Sequence, residues 1–202
     1  MAVLTKFSEK TLYDYQQNDL DAIFDYLDSA PTDTNLLYQL PTGGGKTVVF
    51  SEIAKRYIAT KSKKVVVLTH RIELSTQTSK MLEGFGVHNK IINSDVKSLE
   101  DQEDYSCFVA MVETLNNRLQ EEKVSLDNIG LVIIDEAHYN SFRKLMKFFK
   151  HAVILGVTAT PLSSNIKLPM KDHYKKLIVG ESITSLIDKQ FYEGPETENI
   201  LT

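Results

Sequence analysis

The chain has 202 residues, 42% of them hydrophobic and 25% charged, and a net charge of −4. That length suits one good core and is short for two. The acid excess excludes a broad electropositive surface, so any nucleic acid must be held by a local patch and oriented backbone groups. No apolar run approaches the roughly eighteen residues of a membrane span. Met1 to Lys10 lacks a signal peptide's apolar core, which makes the cytoplasm the expected location.

Gln17 to Leu27 carries Leu20, Ile23, Phe24 and Leu27 at helical spacing, and Pro31 breaks the pattern. Leu36-Leu37-Tyr38 then leads into Gln39-Leu40-Pro41-Thr42-Gly43-Gly44-Gly45-Lys46-Thr47, and an amphipathic stretch runs from Val48 to Tyr57. This is strand, loop, helix. Consecutive glycines let the backbone curl until several N–H groups point into one concavity. The following helix offers its positive N-terminus to the same place. Lys46 adds a charge, and Thr47 adds a hydroxyl suited to Mg²⁺. Such a set binds the β- and γ-phosphates of a nucleoside triphosphate. Where the P-loop pattern opens with Gly, this chain has Leu40.

Val65 to Leu68 reads as a buried strand and Ile72 to Phe85 as a helix ended near Gly84 or Gly86. Val87 to Ile92 is a short strand, and the acid-rich Ser94 to Asp104 an exposed loop. Cys107 opens the apolar run Cys107 to Met111, which marks it as a core thiol, and Phe108 to Met111 is the next strand. A helix is expected over Glu113 to Gln120. Ile129 to Ile134 is an apolar run typical of a strand buried on both faces. It ends in Asp135-Glu136-Ala137-His138. Carboxylates at the C-terminal tip of a buried parallel strand lie where open α/β sheets place ligand chemistry. Asp135 can hold Mg²⁺, and Glu136 can orient and deprotonate a water attacking the γ-phosphate. Taken alone, the pair is explained equally well as an acidic helix start; the glycine loop, expected on a neighbouring strand, favours the chemistry. A helix over Ser141 to Lys150 and a strand over Val153 to Val157 follow. After Pro161 the pattern weakens, with one more helix over Ser182 to Lys189 and no periodicity from Pro195 on. The alternation predicts an α/β fold, a mainly parallel sheet with helices on both faces.

The loop Pro-Thr-Gly-Gly-Gly-Lys-Thr with Asp-Glu-Ala-His resembles the first RecA-like domain of a superfamily 2 helicase or translocase. Four further segments agree in order. Leu12 to Gln16 resembles the Q motif, Thr69 to Leu74 with Gln77 motif Ia, Val112 to Leu119 motif Ib, and Thr158-Ala159-Thr160-Pro161 motif III. The DEAH tetrapeptide and the His-Arg-x-Glu-Leu form of motif Ia look most like DNA repair helicases and restriction-enzyme translocase subunits.

The resemblance implies ATP and Mg²⁺ as cofactors and nucleic acid as partner, DNA ahead of RNA. It assigns adenine reading to Gln16, with Tyr13 standing where the family often has Arg and able to stack. Thr42, Gly43, Gly44, Gly45, Lys46 and Thr47 take the phosphates; Thr47 and Asp135 take the metal; Glu136 is the base. His138, Thr158 and Thr160 couple this site to the nucleic acid, which Thr69, His70, Arg71, Thr114 and Arg118 contact. The basic run Arg143, Lys144, Lys147, Lys150 reads as a solvated helix face, and His88 and His151 lack ligand-spaced partners. Residues 1–33 form an N-terminal segment with the Q-motif-like helix, 34–180 the ATP-binding domain, and 181–202 a helix and cut linker toward a second RecA-like domain. The alternative is a P-loop ATPase switch or motor that does not act on nucleic acid.

Overall fold

Strands buried on both faces set the architecture. The computed structural model describes residues 11–29, 31, 34–161 and 169–189; the expected tail from Pro195 and the segment Met1 to Lys10 lie outside them. Among the described residues seven strands form one sheet in the order β3-β4-β2-β5-β6-β1-β7. They are β1 (Leu36–Gln39), β2 (Lys64–Thr69), β3 (Asn89–Ile92), β4 (Cys107–Met111), β5 (Ile129–Asp135), β6 (Val153–Thr158) and β7 (Lys176–Val179). Every pairing is parallel.

Successive strand residues point to opposite faces. Val65, Val67, Leu131, Ile133, Leu155 and Val157 enter one apolar layer. Val66, Leu68, Val132, Ile134 and Ile154 enter the other. The first layer is covered by α1 (Asp14–Ser29), α2 (Lys46–Lys61), α3 (Ile72–Gly84) and α5 (Ile183–Asp188), which contribute Leu20, Phe50, Leu82 and Leu186 among others. The second is covered by α4 (Val112–Gln120) and a 3₁₀ stretch, Asn140–Phe148. Tyr38, Phe50 and Phe108 are fully buried, each contributing about 1.5–3 kcal/mol by burial.

Three elements differ from expectation. The segment after His138 winds as a 3₁₀ helix over Asn140–Phe148, where an α-helix over Ser141 to Lys150 was expected. Phe142 and Leu145 are both buried, and residues three apart eclipse in a three-residue turn. Strand β7 was not foreseen; only Ile178 of its four residues is buried. Helix α1 begins at Asp14, before Gln17, so Tyr15 and Gln16 ride on its first turn. The glycine-loop strand β1 and the acid-tipped β5 are not neighbours, since β6 lies between them. That insertion brings a third strand tip, Thr158, to the same rim.

Candidate functional site

The glycine loop owes its shape to two residues in the left-handed region, Gly43 at φ 83° and Gly45 at φ 80°, conformations that strain any residue with a Cβ. A methyl on Gly45 would lie 2.5 Å from Gln16 Nε2. The Gly44 N–H donates to the Pro41 carbonyl at 3.0 Å, closing the turn. Leu40 belongs to the core, fully buried, and its N–H donates to the Thr158 carbonyl at 3.0 Å. The first position of the pattern thus extends the sheet and has no need of glycine. Gly45 caps α2 and no side chain caps it, which leaves first-turn N–H groups for an anion. Thr42 and Gly43 are exposed, and Lys46 and Thr47 half-buried.

The start of α1 lies against the back of this loop. The Tyr15 hydroxyl donates to the Gly44 carbonyl at 2.8 Å, and Gln16 Nε2 reaches the same oxygen at 3.4 Å. Gln16 Oε1 accepts from the Tyr13 N–H at 3.0 Å. Tyr13 stacks on Tyr15 with ring centroids 5.9 Å apart. A cleft of about 290 Å³ opens between them, lined by Thr11, Tyr13, Tyr15, Gln16, Gly43, Gly45 and Val48. An aromatic wall and an amide beside a phosphate-type loop suit a flat heterocycle.

Asp135 ends β5 almost buried, and its Oδ1 accepts from the Glu136 N–H at 3.0 Å. Burial first, then the neighbouring Glu136, push its carboxyl up to about 6; a bound cation reverses that balance. Glu136 itself stands at φ 52°, which costs about 1–3 kcal/mol in a residue with a side chain. The Ala137 N–H to the Val157 carbonyl at 2.9 Å and the Tyr139 N–H to the Glu136 carbonyl at 3.0 Å hold that turn. Ala137 and the Tyr174 ring press on Gly156 of β6, where a Cβ would lie 2.4 Å from the Tyr174 hydroxyl.

From this turn Glu136 reaches two ways. Its Oε1 lies 3.9 Å from Lys46 Nζ, and its Oε2 lies 3.4 Å from His138 Nδ1. His138 Nδ1 is also 3.0 Å from Thr158 Oγ1. That hydroxyl donates to the Thr160 carbonyl at 2.8 Å and accepts from the Thr160 N–H at 3.2 Å. The tips of β1, β5 and β6 are therefore joined by one polar chain. The donor set fits a nucleotide with a divalent cation: a hydroxyl at Thr47, a carboxylate at Asp135, a cation at Lys46 and open helix N–H groups.

Thr69, the last residue of β2, is fully buried with its Oγ1 2.6 Å from Ser75 Oγ, so it braces the loop from inside where a nucleic-acid contact was expected. Arg71 is exposed. His70, Arg71, Tyr139, Asn140 and Ser141 line an open groove of about 390 Å³. Burial first, then nearby His138, lower the His70 imidazole from its ordinary value. Thr114 is half-buried on α4, and the Arg118 guanidinium donates to the Ser94 carbonyl. Of the basic run, Arg143 donates to the Pro169 carbonyl at 3.1 Å and Lys144 pairs with Glu113. Tyr15 and Tyr139 were assigned no role from the sequence. Tyr15 lies inside the Q-motif-like segment beside Gln16, and Tyr139 follows His138 outside any motif.

The model of the family described as "Type III restriction enzyme, res subunit" matches residues 9–163. IRC3 of Saccharomyces cerevisiae, named for an ATP-dependent helicase, is 30% identical over 200 residues, covering 92% of this chain and 28% of that protein. The ATP-dependent RNA helicase DHX58 of Mus musculus is 29% identical over 153 residues, covering 63% of this chain and 22% of that protein. The chain thus spans under a third of the yeast relative's length. Among solved structures, a nuclease-deletion mutant of the type ISP restriction-modification enzyme LlaGI in complex with a DNA substrate mimic superposes with a TM-score of 0.72 at 19% identity, covering 90% of this chain and 21% of that one. The Pyrococcus furiosus Hef helicase domain gives 0.64 at 23% identity, covering 84% and 39%. These likenesses show the fold. The chain belongs to the family of the type III restriction enzyme res subunit and is a RecA-like domain of the superfamily 2 helicase type.

Proposed function

We propose that the chain is the DEAH-type ATP-binding domain of an ATP-driven motor on nucleic acid, DNA ahead of RNA, completed by a second RecA-like domain. The observation that carries this reading is the convergence of Lys46 and Glu136 at 3.9 Å, with Glu136 continuing through His138 to Thr158. Gly43, Gly44, Gly45 and the first turn of α2 cradle the phosphates, with Thr42 at the mouth, and Lys46 neutralises them. Thr47 and Asp135 would hold Mg²⁺, which draws charge from the transferred phosphoryl group. Glu136 orients a water and takes its proton. The cleft beside Tyr13 and Gln16 takes adenine, and the shared Gly44 carbonyl ties that cleft to the phosphate loop.

His138, Thr158 and Thr160 link the hydrolytic turn to the groove beside Arg71. There His70, Arg71 and Thr114 contact backbone phosphates, Thr69 braces the loop from its buried position against Ser75, and Arg118 adds what donors its bond to Ser94 leaves. The preference for DNA is supported by the His-Arg-x-Glu-Leu segment. An arginine finger from the second domain is typically worth about 10³–10⁵ in rate, so residues 1–202 alone hydrolyse ATP barely. A salt titration on two unrelated oligonucleotides tests the grip. Binding by the two-domain protein should weaken with salt by a slope of a few counterions, and Arg71→Ala should weaken both sequences alike. A loss confined to one sequence would indicate base readout and overturn the motor reading.

A further inference from the structure

The turn after β5 sends two side chains to β2. Tyr139 packs on His138 with ring centroids 4.2 Å apart and on His70 at 4.9 Å. Ser141 Oγ lies 3.3 Å from His70 Nδ1. The other ring nitrogen, Nε2, is buried with no hydrogen-bond partner among the described residues. His70 is therefore oriented by Ser141 and by the Tyr139 ring. Arg71, next in the chain, is exposed at the groove. At the other end His138 lies against Glu136, which lies against Lys46.

A nucleotide that draws Lys46 onto its phosphates removes one partner of Glu136. The Glu136 side chain then has His138 as its remaining close contact. Any resulting rotation of the His138 ring meets Tyr139, and Tyr139 meets His70. We propose that Tyr139 is a positioning residue whose ring transmits the state of the Lys46–Glu136 pair through His138 to His70 and so to the Arg71 loop. The inference rests on the nucleotide-site reading above. It requires two states of one element, with Glu136 paired to Lys46 or released from it, which is the physical basis of coupling between separated sites. Tyr139 is 43% exposed, so its loss leaves the core intact.

The test is ring NMR of the five histidines, each assigned by single substitution, with and without a saturating non-hydrolysable Mg²⁺–ATP analogue, and with calorimetry to report binding. The readout is the ligand-induced change, which cancels ring-current differences between variants. In the wild type both His138 and His70 should shift on binding. In Tyr139→Ala, His138 should still shift and His70 should stay in place; Tyr139→Phe should restore the His70 response. A His70 shift that persists in Tyr139→Ala overturns the relay. So does a His70 that stays in place in the wild type while calorimetry reports bound nucleotide. Absence of bound nucleotide would instead overturn the reading on which the relay stands.

Discussion

Lys46 Nζ stands 3.9 Å from Glu136 Oε1, although β6 separates β1 and β5, the strands that lead to them. The pair is partly buried, with the lysine side chain 11% and the glutamate 31% exposed. It holds the loop's one formal charge at the carboxylate proposed to act as base. Nucleotide binding must exchange this partner for phosphate, and the pair is weak enough to allow that, since such ion pairs contribute about 1 kcal/mol or less.

Lys46→Ala should therefore remove measurable Mg²⁺–ATP binding at little cost to the fold, about 1 kcal/mol at most. Calorimetric titration and thermal denaturation of the same preparation separate the two effects. Wild-type affinity in the variant would rule out the assignment of the loop.

Glu136→Gln removes the base and frees Lys46. Affinity for Mg²⁺–ATP should be unchanged or up to about fivefold tighter, the equivalent of a 1 kcal/mol pair. Turnover by the protein with the proposed second domain should fall at least about a hundredfold, the scale of general-base loss. Unchanged turnover in a stopped assay would mean that another residue activates the water.

These residues were legible because their chemistry depends on short contiguous spacing. Gln39 to Thr47 and Asp135 to His138 each carry a strand end, a turn and candidate ligands within a few positions. The buried strands were legible from uninterrupted apolar runs. Strand β7 was not, because Leu177 and Val179 are exposed despite being apolar and only Ile178 is buried, so its burial follows no pattern in the residue types. The insertion of β6 between β1 and β5 was also hidden, since strand order is set by packing of helices on the sheet and leaves no mark in spacing. Tyr15 and Tyr139 escaped for a related reason. Their partners, Gly44 and His70, lie 29 and 69 positions away, and an isolated aromatic looks the same whether it fills a core or braces a site.

The turn bearing Glu136 depends on a close fit behind it. A methyl at Gly156 would meet Tyr174 Oη at 2.4 Å and Ala137 Cβ at 2.8 Å. Gly156→Ala should destabilise the protein by about 1–3 kcal/mol, the usual cost of overpacking. Tyr174→Leu should recover part of that loss, giving a non-additive double-mutant cycle in denaturant unfolding. Additive effects would show that the Tyr174 ring does not set the fit.

The central claim is that ATP turnover at the Lys46–Glu136 site is tied to nucleic acid. The most direct measurement is the ATP hydrolysis rate of the protein carrying the proposed second RecA-like domain, taken without nucleic acid, with DNA and with RNA in parallel. The account predicts that DNA raises the rate more than RNA does, and that residues 1–202 alone stay near zero in all three conditions. A two-domain protein that hydrolyses ATP equally fast with and without either nucleic acid would contradict it.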